Sequence, residues 1–66
     1  MNLVINGQMR EAPDLVNVSD LARWLGLPAS GWAVELEGRV VKRSDHGTTR
    51  VREGDRLEVI RLVGGG

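Results

Sequence analysis

The sequence predicts a small α+β domain in which one short helix packs across one face of a mixed sheet. Three observations carry that expectation. A short β run, Leu3-Val4-Ile5, leads into Asn6-Gly7, the strongest two-residue signal for a tight hairpin. Val18, Leu21, Ala22 and Leu25 recur at i, i+3, i+4 and i+7, which puts them on one stripe of a helix. From Trp32 the pattern changes to period two, with Trp32, Val34 and Leu36 on one face and Ala33, Glu35 and Glu37 on the other. An apolar stripe and a half-apolar sheet each have one face to bury, and covering one with the other is the simplest solution.

Taken in order, Gln8 to Ala12 is the return strand of the opening hairpin, ended by Pro13, which has no N–H to give a ladder. Asn17 is the expected helix N-cap, since its side chain can accept from the free amides of the first turn, and Asp20 favours the positive helix end. Gly26 supplies the left-handed residue that stops the helix, Leu27 closes over it and Pro28 prevents continuation. Two turns of helix do not persist alone, so this one must be packed on the sheet. Trp24, a quarter turn off the stripe, is read as a residue at the edge of the core. Gly38 turns the chain after the alternating strand, and Val40-Val41 continue briefly. Lys42 to Thr48 is polar and irregular, Thr49 to Arg52 is read as a short edge strand, and Glu53-Gly54-Asp55 as a tight turn. Arg56 to Val63 is the last strand. The order is β-β-α-β-β-β, a five-stranded sheet with residues 1–63 as its domain and 64–66 as a tail.

Length and composition remove whole classes of function. Sixty-six residues make one domain with a thin core, burying about 60% of the surface an unfolded chain exposes. There is no cysteine and the sole histidine is His46, which excludes a disulfide scaffold and the usual metal-ligand clusters. His46 is read as a solvent-exposed loop residue. Nine basic and nine acidic residues cancel, dispersed without long like-charge runs, so no cationic stripe for nucleic acid is expected. Arg39, Lys42, Arg43, Arg50, Arg52 and Arg56 make the second half locally basic, which solvated loops and strand edges explain. Trp24 and Trp32 are the only aromatics, too few for a base-stacking platform. No apolar run approaches the ~20 residues of a membrane span and no signal peptide is recognised, so the expected location is the cytoplasm.

Gly64-Gly65-Gly66 is the feature that asks for a reason. Chain ends fray, but glycine is the costliest residue to order and its particular use is to let backbone approach another molecule closely. Three extended residues reach about 10 Å, enough to thread a carboxylate into a narrow channel. A terminal carboxyl titrates near 3.5 and is ionised at neutral pH, which makes it a poor electrophile. Adenylation would turn it into a mixed anhydride open to a sulfur nucleophile, and without a Cβ on Gly66 that nucleophile meets little resistance. The chain carries neither a P-loop nor the dinucleotide glycine fingerprint, so a partner must supply the nucleotide chemistry.

The ordered set of stretches is similar to the ThiS-like sulfur carriers of thiamin biosynthesis, a ubiquitin-like β-grasp family, over essentially the whole length. The likeness rests on Leu3 to Gly7, Asn17 to Leu21, Ala33 to Gly38, Val40 to Ser44, Glu53 to Ile60 and Val63 to Gly66. It implies that Gly66, preceded by Gly64 and Gly65, is adenylated by an E1-like adenylyltransferase using ATP and becomes a thiocarboxylate. It further implies a sulfur donor protein and delivery of the sulfur to thiazole synthase. The chain itself is then no enzyme and holds no cofactor. Lys42 and His46 depart from the proline and tryptophan common in such proteins, which leaves the loop conformation open. Ile60, Arg61, Leu62 and Val63, next to the tail, are the expected partner-binding residues, because alternation lets only one subset of the apolar side chains face the helix. Three other readings stay open: a sulfur carrier for molybdopterin or tRNA thiolation, a ubiquitin-like modifier joined to lysines, and a β-grasp interaction module with no tail chemistry.

Overall fold

In the computed structural model, residues 1–62 are described. Asn6 and Gly7 take φ of 51° and 78°, the pair of left-handed conformations that matches the twist of the flanking strands. They join β1 (Asn2–Ile5) to β2 (Gln8–Glu11), paired antiparallel with Val4 opposite Met9. A second hairpin of the same kind turns on Glu37 and Gly38, φ 50° and 82°, and joins β3 (Trp32–Leu36) to β4 (Arg39–Val41). β5 (Arg56–Arg61) lies between the two hairpins, parallel to β1 and antiparallel to β3. The strand order is β2-β1-β5-β3-β4, a mixed five-stranded sheet with the last strand at its centre.

The helix α1 (Val18–Leu25) starts and stops where local chemistry requires. Asn17 Oδ1 accepts from the Asp20 amide at 2.8 Å, and the amides of Val18 and Ser19 donate to the carbonyls of Thr49 and His46 at 3.1 and 3.0 Å. All three free donors of the first turn are thereby satisfied. Gly26, at φ 72°, closes the other end: its N–H donates to Arg23 and that of Leu27 to Ala22, the two bonds of a Schellman cap. Leu3, Ile5, Ala12, Val18, Leu21, Val34, Val51 and Leu57 form the core between helix and sheet, with Ala22 also buried. Trp24 and Leu25 are half-buried against it, and the Arg10 guanidinium sits 4.8 Å over the Trp24 ring.

The sequence reading is corrected in three places. The fourth strand is Arg39–Val41, whereas Thr49–Arg52 makes a single bridge between Arg50 and Asn17. Its alternation is real, since Val51 is buried, but its backbone serves the helix start: Thr49 accepts from Val18, and Val51 donates to Val16 at 3.0 Å. The Lys42–Thr48 stretch contains a turn of 3₁₀ helix, Arg43–Asp45. The last strand ends at Arg61, two residues short of the expected Val63, which with the Gly64–Gly66 tail lies outside the described residues.

Candidate functional site

Alternation along β5 sorts its side chains. Leu57 is buried and Val59 half-buried toward the helix, while Arg56, Glu58 and Ile60 face the uncovered side of the sheet. Ile60 stands opposite Ala33 of β3 and is 37% exposed. One step past the strand, the Leu62 N–H donates to the Gly31 carbonyl at 2.9 Å, so the ladder continues to the last described residue. Leu62 is 57% exposed, and Arg61, opposite Trp32, is exposed as well. Three of the expected partner-binding residues, Ile60, Arg61 and Leu62, therefore come together at one end of the sheet. Val63 and the expected tail residues Gly64, Gly65 and Gly66 lie outside the described residues.

That end is braced by groups the sequence reading passed over. His46, expected in solvent, is half-buried, with its ring stacked on Trp32 at 5.2 Å between centroids and 14° between planes. Its Nε2 lies 3.2 Å from the Val41 carbonyl, which can only accept, so that nitrogen carries a proton. Trp32 Nε1 donates to the Pro28 carbonyl at 2.6 Å and Arg43 Nη2 to the Ala29 carbonyl at 2.7 Å. These bonds pin the 28–31 loop, whose Gly31 carbonyl holds Leu62. No pattern in the sequence announces the pairing, because His46 and Trp32 meet only through the β3–β4 hairpin.

Two shallow hollows flank the same point. One, of about 280 Å³, is lined by Trp32, Val40, His46 and Leu62 among others, and one of about 380 Å³ by Leu27, Pro28, Val59, Arg61 and Leu62. Among the described residues, no group of three or more His, Asp or Glu is placed to hold a metal ion. No helix of the described residues is long and apolar enough to cross a membrane. The arrangement leaves the apolar side chains of Val40, Ile60 and Leu62 uncovered near Leu62, the last described residue.

A helix on one face of this five-stranded mixed sheet, with a parallel central pair, defines a ubiquitin-like β-grasp protein. The chain belongs to the ThiS family, whose model matches residues 3–66. The crystal structure of a thiamine biosynthesis protein (ThiS) from Geobacter metallireducens superposes with a TM-score of 0.87, at 33% identity and covering all of both chains. A solution structure of a thiamine biosynthesis protein from the same organism gives 0.82, covering all of this chain and 88% of that one. Two thiazole synthases also match over all 66 residues, at 36% identity in Paramagnetospirillum magneticum and 32% in Magnetococcus marinus. The chain spans 20% of the length of each.

Proposed function

We propose that this chain is a sulfur carrier for thiamin thiazole synthesis, working as a co-substrate of partner enzymes. The observation that carries the reading is that the family match runs through residue 66, so it includes Gly64-Gly65-Gly66 and not only the domain. In the proposed cycle a carboxylate oxygen of Gly66 attacks the α-phosphorus of ATP on an E1-like adenylyltransferase, and pyrophosphate leaves. Sulfide, or its equivalent from a sulfur donor protein, then attacks the acyl carbon and AMP leaves, with the C–S bond replacing the C–O bond. The product is a thiocarboxylate, whose sulfur passes to the precursor held by thiazole synthase. The thiazole synthase relatives support that acceptor over one in molybdopterin or tRNA chemistry. Exposed Ile60 and Leu62 support docking at the sheet end.

The test is to incubate the chain with ATP, sulfide and the adenylating enzyme, alkylate it with a thiol reagent and map the adduct. The chain has no cysteine, so a single ATP-dependent adduct on Gly66 is the expected result. Intact mass without alkylation would not serve, because exchanging oxygen for sulfur mimics oxidation of Met1 or Met9. An unreactive chain end in the presence of active enzyme would sink the reading.

A further inference from the structure

The loop of residues 28–31 is exposed throughout, and among the described residues none of the Ala29, Ser30 and Gly31 amides donates a hydrogen bond. Pro28 has no N–H to give. What holds the loop is three of its carbonyls, each taken by a group from beyond it. Trp32 Nε1 donates to Pro28 at 2.6 Å and Arg43 Nη2 to Ala29 at 2.7 Å, while the Gly31 carbonyl takes the Leu62 N–H at 2.9 Å. The first two bonds fix the loop, and the third passes that fixity to the last described residue. Trp32 is itself backed by the stacked His46 ring. His46 is tied twice: its Nε2 donates to the Val41 carbonyl at 3.2 Å, and its own carbonyl accepts from the Ser19 amide at 3.0 Å. A line of contacts thus runs from the first turn of α1 through His46, Trp32 and the loop to Leu62. Without it, an exposed loop with unbonded amides would be among the first parts of the chain to open.

We infer that His46 and Arg43 are positioning residues for the chain's reactive end: by fixing the 28–31 loop they set the point at which Leu62 hands the chain over to its tail. This rests on the proposed carrier function and adds the residues that aim the carrier's end. Four residues take the chain from Leu62 to Gly66, a reach of about 13 Å. A tail drawn out in a partner's channel transmits any displacement of its anchor to its end. A shift of even about 1 Å at a reacting group can cost a hundredfold in rate. Glycines have no side chains by which a channel could correct such a shift, so the position must be set upstream of them. His46 and Arg43 touch no reacting atom. They act through Trp32, the loop and the Leu62 bond.

The experiment has two readouts, both on the full chain. The first is amide exchange by NMR in the free protein. His46→Ala removes the stack and the Val41 bond, and Arg43→Ala removes the pin on Ala29. In each, the Leu62 amide is expected to exchange at least tenfold faster, while the Leu21 amide, bonded to the Asn17 carbonyl at 3.1 Å, changes less than about twofold. His46→Phe keeps a ring to stack and should stay close to the natural chain. The second readout is steady-state thiocarboxylate formation with the adenylating enzyme of the same organism, ATP and sulfide. Both alanine variants should lose about tenfold in kcat with KM within about threefold, because Ile60 still presents its side chain. Two further glycines at the end supply slack, and in that longer chain the same substitutions should cost less than about threefold. Unchanged kcat, a loss carried by KM, a loss that added glycines do not shrink, or a Leu21 amide that speeds up as much as that of Leu62 would each overturn the inference. A natural chain left unconverted by active enzyme would sink the carrier function and this inference with it. A natural chain converted no faster than His46→Ala would sink the inference alone.

Discussion

Asn17 shows how much one side chain fixes in a domain this small. Its Oδ1 caps the helix through the Asp20 amide, and its Nδ2 donates to the Gly47 carbonyl at 3.1 Å, tying the loop that supplies His46 to the helix start. Replacing an N-cap asparagine by alanine costs about 1 kcal/mol. Here the second bond is lost as well, so Asn17→Ala is expected to lower the melting temperature by roughly 5–10 °C. Asn17→Asp keeps the acceptor, loses only the Nδ2 donor and should recover more than half of that loss. Thermal melts followed by circular dichroism decide it; equal losses for the two variants would mean the cap is not the stabilising contact. The cap was legible in the sequence because its donors lie within three residues, and so was the Gly26 stop. The bond to Gly47, thirty residues away, had no local sign.

At the scale of elements, what could be read divides along the same line. Both hairpin turns were announced by Gly7 and Gly38, since left-handed backbone selects glycine locally. Thr49-Arg50-Val51-Arg52 has a strand's alternation, yet its Thr49 carbonyl accepts from the Val18 amide at the helix start and its Val51 amide donates to the Val16 carbonyl just before it, partners that periodicity cannot see. Register is likewise non-local: the facing of Ile60 with Ala33 and of Glu35 with Glu58 exists only once β5 has entered between β1 and β3. Among the expected site residues, alternation implied only that some subset of Ile60, Leu62 and Val63 would stay on the open face, and it is the structure that picks out Ile60 and Leu62 as exposed. That exposure makes a prediction at this scale. Ile60→Glu and Leu62→Glu remove no buried group, so both should fold with a melting temperature within a few degrees of the natural chain. Each should raise the KM for the chain in adenylation about tenfold or more, because a charge is forced into a desolvated contact. Normal adenylation kinetics in a folded variant would place the docking surface elsewhere.

The whole molecule separates what holds it together from what it is for. Every residue of the core cluster lies between Leu3 and Leu57, and the net stability expected of 66 residues is only about 3–10 kcal/mol. Such a domain has little room for a strained internal site, and the carrier reading places the chemistry on the backbone beyond the core. Deleting Gly65 and Gly66 tests that separation, because the shortened chain still ends on a glycine carboxylate, that of Gly64. The reacting group is chemically unchanged and only its reach falls, by about 7 Å. The melting temperature is expected to stay within about 1 °C, since no core side chain is touched. Thiocarboxylate formation is expected to fall more than a hundredfold, because displacing a reacting group by even about 1 Å can cost that much. A chain extended by two further glycines keeps the same end group with reach to spare, and should recover at least part of the rate lost by the deletion mutant. If the shortened chain is converted as fast as the natural one, the partner does not bind the tail in a channel. If it is slow because it has begun to unfold, the melt will show it, and the tail belongs to the fold after all.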